Sequence, residues 1–347
     1  MYKIIEIKNK DIWNNFVERN DFEFYSFLSS WEWYELQMIL WKKVIRFWIY
    51  DIKNNLIGLL PFIKNVAKRW TYLFAPHTPL IIKNIDFFEV LNSINATLKQ
   101  FAKSENADFI RFNSPVKNTI QNKKLFNKLW FINAPMHEHA EDTHILNLKP
   151  SEEELLSNMK KEDRYYINRA IKEGVEIVFW NTKEQIDKLT TMHIQHSKKI
   201  WYHPFSSEFI NNLYIVFWDN ITTISARYNW NVESILMTIK FWKTCVYYIA
   251  TSDIKSPKFS PNYLCQWEAI KSAKNAWCET YNFWWVSPDD NPKHPISWVS
   301  KFKRKFAGYD YSLLHAQDLP ITKKYWINFL IENIRRIKRW YYYKKPE

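Results

Sequence analysis

Tryptophan occupies positions in this chain where the local sequence pattern calls for glycine. The chain has 19 Trp and only 3 Gly, although Gly averages about 7% of residues in globular proteins. Asn229-Trp230 separates two strand-like runs, where Asn-Gly is the usual two-residue hairpin turn. Trp277 follows the helix-like run Gln266–Ala276, at the position after a helix that favours Gly. Such positions need φ > 0, which a bulky side chain resists. The fold therefore has to place turns and helix ends at these tryptophans.

We interpret these tryptophans as glycines of a gene that uses UGA for glycine and is translated here with UGA read as tryptophan. Fourteen positions fit this interpretation: Trp33, Trp41, Trp48, Trp70, Trp130, Trp180, Trp201, Trp218, Trp230, Trp242, Trp277, Trp284, Trp285 and Trp298. Glycine at all of them would bring both residue counts to ordinary values. The alternative is a truly Trp-rich protein, which gives no reason for tryptophans to gather at turns and helix ends.

Composition and charge narrow the class of protein. A hydrophobic content of 47% with 24% charged residues in 347 residues is typical of a globular chain with two domains. No apolar run approaches the ~20 residues of a membrane span, and the N-terminus has no signal-peptide core. Three cysteines without metal-type spacing indicate reduced thiols and a cytoplasmic protein. The net charge of +13 favours a polyanionic partner, although an A/T-rich genome that enriches Lys, Asn, Ile and Tyr explains it equally well.

The residue patterns predict mixed α/β structure in two parts. The first part has strands at Ile4–Lys8, Val44–Tyr50, Leu56–Phe62, Phe109–Phe112 and His144–Leu148, with helices at Lys10–Glu18, Trp31–Leu40 and Phe87–Glu105. The second part has helices at Lys160–Glu173, Thr182–Ile200, Ser206–Phe217 and Pro261–Ala276, a three-stranded meander over Thr222–Thr251 and strands at Val175–Phe179 and Glu279–Phe283. A capping box is expected at Ser151, and a cap at Ser29 or Ser30. The order of elements suggests two related α/β units, followed by a basic helix over Lys323–Lys345.

One segment resembles the FemABX family of peptidoglycan interpeptide-bridge aminoacyltransferases. It reads Tyr281-Asn-Phe-Trp-Trp-Val-Ser-Pro, followed by Trp298-Val-Ser-Lys-Phe-Lys-Arg-Lys-Phe-Ala-Gly. The family pattern is a strand that ends in Gly-Gly, a loop, and a Gly-x-x-x-Phe-Lys-x-x-Phe-x-Gly helix. The chain departs from this pattern at Trp284, Trp285 and Trp298, which are three of the proposed glycines. The family resemblance and the decoding interpretation therefore support each other.

Four further stretches are similar to family motifs in the same order, so the resemblance runs from about residue 4 to 316. They are Ser30-Trp-Glu-Trp-Tyr-Glu, Trp70-Thr-Tyr-Leu-Phe-Ala-Pro-His-Thr-Pro-Leu, Lys160-Lys-Glu-Asp-Arg-Tyr-Tyr-Ile-Asn-Arg-Ala and Pro261-Asn-Tyr-Leu-Cys-Gln-Trp-Glu-Ala-Ile. His77 and Thr78 replace the Arg-Gly that is usual in the second stretch.

The resemblance implies an α/β (α+β) fold of two tandem GNAT-like domains with mixed, largely antiparallel sheets. The first domain would comprise residues 1–149 plus 317–347, and the second residues 150–316. The long helical arm of some members has no room in this chain, which indicates the compact, arm-less type.

By the same resemblance, the reaction transfers an amino acid of the Gly/Ala/Ser class from aminoacyl-tRNA to the stem-peptide amine of UDP-MurNAc-pentapeptide or lipid II, without a cofactor. The lysine of the family's Phe-Lys pair corresponds to Lys303, which would be the cation near the developing oxyanion. Arg164 corresponds to an arginine near the precursor's phosphates. Tyr248 and Tyr202 are candidates for phosphate or sugar hydrogen bonds. Lys42 or Lys43 would replace an early phosphate-binding lysine that has no clear counterpart.

Two sets of histidines have positions that would allow metal binding, but we do not adopt this interpretation. Strand-like alternation over Met136–Asp142 would put His137 and His139 on one face. His193 and His196 lie one helical turn apart, with His203 nearby. The segment around His137 aligns with an ordinary strand-entry region of the family that the chain resembles, and the sequence prediction is that the protein holds no metal.

Two other functions stay open at this point. An acyl-CoA-dependent GNAT-like N-acyltransferase would need a Gly-rich pyrophosphate loop, but the corresponding Ser252–Ser260 is Lys- and Pro-containing. A non-catalytic protein that binds nucleic acid or a membrane surface would use the basic residues of Ile334–Lys345. That segment could also hold an enzyme at the inner membrane surface, near a lipid-linked precursor.

Overall fold

The computed structural model describes residues 2–200, 204–253, 259–289 and 291–338. The chain divides into two compact units, one of Met1–Asp142 with Ser312–Glu347 (unit 1) and one of Thr143–Tyr311 (unit 2). These divisions fall after Asp142 and Tyr311, whereas the expected divisions were 149/150 and 316/317.

The elements follow one another in chain order through the two units. Unit 1 begins with β1 (Lys3–Glu6), α1 (Lys10–Arg19), α2 (Trp31–Ile39), β2 (Lys43–Tyr50), β3 (Leu56–Val66), β4 (Thr71–Pro76), β5 (Leu80–Ile81), α3 (Phe87–Ser104), β6 (Phe109–Asn113), α4 (Ile120–Lys128) and β7 (Ile132–Asn133). Next come β8 (Asp142–Asn147), α5 (Glu152–Ser157), α6 (Lys161–Lys172), β9 (Glu176–Phe179), α7 (Lys183–Ile200), α8 (Ser207–Val216), β10 (Ile221–Tyr228), β11 (Asn231–Phe241), β12 (Thr244–Ser252), α9 (Pro261–Asn275), β13 (Thr280–Trp285), α10 (Ser297–Arg304) and β14 (Tyr309–Ser312). The chain then returns to unit 1 with β15 (Gln317–Pro320) and α11 (Tyr325–Lys338).

Unit 1 is built on a mixed sheet in the order β1-β2-β3-β4-β6-β15-β7, with β5 paired to β3. Helix α3 buries Val90, Leu91, Ile94 and Leu98 in the unit's apolar core. The buried positions of α3 recur every three or four residues, as an amphipathic helix on a sheet requires. β4 and β6 run parallel and stay paired from Tyr72↔Phe109 to Pro76↔Asn113, where both strands end.

Unit 2 has a second mixed sheet in the order β14-β8-β13-β12-β11-β10-β9. The predicted meander forms β10, β11 and β12, and its first turn is Asn229-Trp230. Helix α9 buries Leu264, Cys265 and Ile270 in the core of this unit. One assignment was wrong: the strand predicted at His144–Leu148 does not close the first domain. It forms β8, which pairs antiparallel with β13 and so completes the sheet of unit 2.

The predicted helix starts are confirmed at two caps. The Ser30 side chain accepts a hydrogen bond from Trp33 N. Ser151 and Glu154 form the expected capping box. The predicted C-terminal helix is observed as α11, and its expected residues 339–345 lie outside the described part of the chain.

Six of the fourteen glycine-like tryptophans adopt left-handed backbone angles, with φ between 51° and 68°: Trp41, Trp130, Trp230, Trp242, Trp277 and Trp284. This region favours glycine, so the backbone supports the decoding interpretation at these six. Trp33 and Trp48 differ because they are buried among aromatic rings, and their packing gives no reason for glycine. Trp201 lies outside the described residues.

Candidate active site

The parallel pair β12 and β13 of unit 2 separates partway along its length. Three residues of each strand are paired, from Thr244↔Thr280 to Val246↔Asn282. Both strands continue past this point, β12 to Ser252 and β13 to Trp285. A parallel pair that opens in this way exposes backbone groups and side chains on the two facing strand edges. We call the opening beyond Val246 and Asn282 the wedge.

A β-bulge lies on each strand just where the wedge opens. In β12, Thr238 pairs with Tyr247 but Met237 pairs with Ile249, so Tyr248 is the additional residue. In β13, Asn282 pairs with Ile145 and Trp285 with Thr143, so two residues of β13 oppose His144 alone. Trp284 has φ 61°, and its N–H donates to Asn282 Oδ1 at 2.8 Å. Bulges bend a strand and redirect its side chains, and they are common next to active sites.

Lys303 lies at the wedge with its ammonium group buried. Its Nζ donates to Trp285 O at 2.7 Å and lies 5.6 Å from the centre of the Tyr247 ring. Lys303 is 6% exposed, and burial lowers the pKa of its side chain to about 7. Burial removes water from the amine and disfavours its charged form. Negative charge that develops beside it favours the protonated form.

Two serines and an arginine fix the helix that carries Lys303. Ser287, just after β13, donates its N–H to Ser300 Oγ at 2.7 Å, and Arg304 Nη2 donates to Ser287 O at 2.7 Å. Phe306, which follows α10, packs into the core of unit 2. The contacts of Ser300, Arg304 and Phe306 therefore fix the position of Lys303, together with its own hydrogen bond to Trp285 O.

The end of this segment needs glycine for a steric reason. Gly308 has φ 97°, and a Cβ atom at this position would lie only 2.4 Å from Ile145 O. The Phe-Lys-x-x-Phe-x-Gly pattern in the sequence thus corresponds to a helix that ends against strand β8.

The tyrosines of the wedge are half-buried. Tyr248 stacks on Phe205 with ring centres 5.5 Å apart and meets Trp284 edge-on at 6.3 Å. Burial raises the pKa of both Tyr247 and Tyr248, which keeps their hydroxyls neutral. Tyr248 and Lys303 therefore both border β13 at the wedge. Tyr247 was not among the predicted site residues. Its position next to Tyr248 in the sequence was the signal that could have found it.

Arg164, the predicted phosphate contact, lies at the junction of α5 and α6. Arg164 Nη1 donates to Ser157 O at 2.8 Å and to Met159 O at 2.5 Å. These bonds satisfy carbonyl groups at the end of α5, where a helix leaves acceptors without internal partners. The described contacts of Arg164 are local to the junction of α5 and α6.

The remaining predicted residues lie elsewhere in the chain. Lys42 and Lys43 are in unit 1, where Lys43 Nζ pairs with the Glu105 carboxylate at 2.7 Å. Desolvation by neighbouring atoms lowers the pKa of Lys42, against an opposing effect of Glu138. Tyr202 and His203 lie outside the described residues.

The two histidines considered as a ligand pair have different surroundings. The segment around His137 and His139 is not a strand. His139 stacks on Phe74 at 5.5 Å, whereas His137 Nδ1 lies 2.8 Å from Glu141 Oε2, together with His315. The three cysteines Cys245, Cys265 and Cys278 are free thiols and are buried.

Comparison with known proteins gives a family match that contains the wedge. Residues 229–333 match the model of the FemAB family. No curated protein sequence matches the chain significantly.

Solved structures share the tandem fold over nearly the whole chain. The crystal structure of FemX is 14% identical, with a TM-score of 0.80 over 95% of this chain and 100% of that one. A tandem GNAT protein from the clavulanic acid biosynthesis pathway is 7% identical, with a TM-score of 0.54 over 93% and 99%. L-PGS from Bacillus licheniformis is 10% identical, with a TM-score of 0.56 over 94% and 96%. The fold is thus of two GNAT-like domains, and the family match together with the likeness to FemX confirms the resemblance to the FemABX family.

Proposed function

We propose that this FemABX-type chain is a tRNA-dependent aminoacyltransferase of the EC 2.3.2 type. It transfers an amino acid of the Gly/Ala/Ser class to the stem-peptide amine of UDP-MurNAc-pentapeptide or lipid II, in the cytoplasm, and so builds the interpeptide bridge. The observation that carries the proposal is the buried ammonium group of Lys303 at the wedge, inside the segment that matches the FemAB family. The FemX likeness supports it through the fold.

The chemistry follows from the position of Lys303. The neutral acceptor amine attacks the carbonyl carbon of the aminoacyl ester, and negative charge develops on the carbonyl oxygen. Protonated Lys303 stabilises that charge more strongly in the transition state than in the ground state, because its surroundings exclude water. The ester C–O bond then breaks, the amide forms, and the proton from the amine leaves with the tRNA hydroxyl. Tyr248 and the redirected backbone of β13 line the space for the amino acid.

A transfer assay tests this proposal. The protein is incubated with charged tRNAs and either precursor, and extension of the stem peptide is followed by mass spectrometry. We expect extension that ribonuclease abolishes and that Lys303→Met reduces by about 10²–10³-fold, the usual cost of losing an oxyanion-stabilising group. Lys301→Met removes an exposed lysine of the same helix and serves as the control. Full activity of Lys303→Met, or no transfer by a folded wild-type protein with any pairing, would contradict the proposal.

An acyl-CoA-dependent N-acyltransferase is the second candidate. The wedge between two parallel strands supports it, as does the likeness to a tandem GNAT protein. The loop that would contact the pyrophosphate falls largely in residues outside the described part of the chain. Acyl transfer from labelled acetyl-CoA that is insensitive to ribonuclease would favour this alternative.

We also propose that α11 holds the protein at the inner membrane surface. None of the helices in the described residues is long and apolar enough to span a bilayer. However, α11 exposes an apolar stripe of Trp326, Ile327, Leu330, Ile334 and Ile337, each 44–73% exposed. The opposite face packs inward through Tyr325 and Asn328.

The charges beside this stripe favour an anionic surface. Lys323, Lys324 and Arg335 are exposed next to it. An apolar helix face bordered by basic residues is typical of helices that lie in the plane of a lipid interface. This interpretation keeps the expected location of the contact but changes its basis, since the sequence suggested charge alone.

Vesicle sedimentation tests the membrane contact. We expect binding to vesicles that contain phosphatidylglycerol, weaker binding to pure phosphatidylcholine, and loss of binding in Leu330→Glu. Ile120→Glu makes the same charge change at an exposed isoleucine of α4 and is the control. Equal binding by both variants would place the contact elsewhere, and binding to RNA but not to vesicles would support a nucleic-acid surface.

A further inference from the structure

Two histidines and a glutamate of unit 1 converge on one point. His137 Nδ1 and His315 Nδ1 each lie 2.8 Å from Glu141 Oε2. The three potential ligand atoms all lie within 4.8 Å of one another. The side chains are 7% exposed for His137 and Glu141 and 15% for His315. His137 and Glu141 precede the family-matched segment, and His315 lies within it.

Backbone hydrogen bonds hold the outward-facing atoms of this cluster. His315 Nε2 lies 2.8 Å from Ala134 O, and Glu141 Oε1 accepts a hydrogen bond from Ala316 N at 2.7 Å. His315 Nδ1 and Glu141 Oε2 are therefore fixed toward the centre of the cluster. Metal-binding histidines nearly always donate their other ring N–H in this way, and ligand carboxylates are likewise hydrogen-bonded.

We propose that His137, Glu141 and His315 bind one Zn²⁺ ion, with water in the fourth position. Ligand bonds of 2.0–2.1 Å in a tetrahedral site put neighbouring ligand atoms about 3.4 Å apart. The histidine nitrogens need to move only about half an ångström away from the shared oxygen to reach that spacing. Two imidazoles and one carboxylate suit zinc, whereas Mg²⁺ and Ca²⁺ prefer sites made wholly of oxygen.

The ion would join two stretches of unit 1 that are distant in sequence. His137 and Glu141 precede β8, and His315 precedes β15 on the returning segment. These stretches already share backbone hydrogen bonds, Leu313 N to Glu141 O and Ala134 N to Ala316 O, both at 2.8 Å. Zinc at this point would fasten the returning segment to the body of unit 1.

Without a metal, the same side chains form an ion-paired network. Burial opposes the charge on Glu141, but His315 and His137 outweigh it and lower the pKa of this carboxyl group. Burial likewise opposes the charge on His315, and Glu141 outweighs it and raises the pKa of the imidazole. Zinc and this network are competing states of one cluster, and the experiment distinguishes them.

The test is zinc binding by the full chain. A chelator first removes any bound metal, and Zn²⁺ is then added back before unbound ions are removed. We expect one Zn²⁺ per chain by elemental analysis, a rise in Tm on adding zinc, and the spectrum of tetrahedral Co²⁺ after substitution with cobalt. His137→Ala should weaken zinc binding by about tenfold or more, and His294→Ala, at a histidine of unit 2, should leave it unchanged.

Two further results decide the matter. Glu141→Gln keeps the size of the side chain, so it should lose zinc while circular dichroism stays that of the wild type. No zinc binding by folded wild-type protein, or equal binding by His137→Ala, would overturn the proposal and leave the ion-paired network as the whole role of the cluster. Neither result depends on aminoacyl transfer.

Discussion

Glycine should stabilise this protein at the exposed tryptophans that adopt left-handed backbone angles. Trp41, Trp230 and Trp277 have φ of 63°, 67° and 61° and are 93%, 96% and 90% exposed. Their side chains therefore contribute little packing, while their backbone conformation opposes a bulky residue. Replacing each by glycine relieves the strain and removes an exposed aromatic surface.

The size of the effect follows from two opposing terms. A non-glycine residue in the left-handed region costs roughly 1–2 kcal/mol. Glycine offsets about 0.5–1 kcal/mol of the gain from relieving this strain, because it loses more conformational entropy on folding. Each substitution should therefore raise the free energy of unfolding by about 0.5–1 kcal/mol. The triple variant should gain about 1.5–3 kcal/mol, since the three residues occupy separate turns.

Urea denaturation followed by circular dichroism measures this change, with each unit's transition fitted where the two separate. Trp298→Gly is the matched control, because Trp298 is 82% exposed but lies inside helix α10. Glycine there should destabilise by about 0.5 kcal/mol. If Trp230→Gly and Trp277→Gly left stability unchanged, or if Trp298→Gly stabilised as much, the conformational argument would be refuted.

The other predictions concern the wedge. If protonated Lys303 is the active form, kcat/KM should fall as pH rises through about 7, and Lys303→Arg, which stays charged, should lose this decline while retaining some activity. Lys303→Met should raise the free energy of unfolding at pH 7 by up to about 4 kcal/mol at 1.36 kcal/mol per pKa unit. The folded pKa lies below the unfolded 10.5, so this gain should shrink as pH rises from 7 to 10.5 in denaturation curves. Gly308→Ala should lower Tm, because the new Cβ would meet Ile145 O at 2.4 Å.

Much of the local structure was readable from the sequence because it depends on near neighbours. The Asn229-Trp230 turn between two strand-like runs defines the β10–β11 hairpin, and the capping box at Ser151 depends on residues three apart. Lys303 became a candidate through its place in a family motif. Its residue type alone does not distinguish it from Lys301, Arg304 and Lys305 beside it. Its burial depends on α10 meeting the end of β13, a contact that local patterns do not contain.

Contacts between residues distant in sequence could not be read from local patterns. β8 reads as the last strand of a first domain, because neighbouring strands in sequence are usually neighbours in a sheet. Its partner is instead β13, more than a hundred residues later. In the same way, the Glu141 carboxylate brings together His137 and His315, which lie far apart in the sequence.

The wedge links the unusual composition of this chain to its chemistry. Strand pairing fails at Tyr248 and Trp284, and Trp284 is both a bulge residue and one of the six left-handed tryptophans. A bulge of this kind ordinarily uses glycine for its left-handed residue. Tryptophan at 284 is 7% exposed and packs edge-on against Tyr248, so it fills space beside Tyr248 that glycine would leave open. The left-handed backbone of Trp284 lies two residues beyond the last pair of β12 and β13, Val246↔Asn282. Trp284, where the sequence has tryptophan in place of an expected glycine, therefore lies in the bulge of β13 that borders the candidate site.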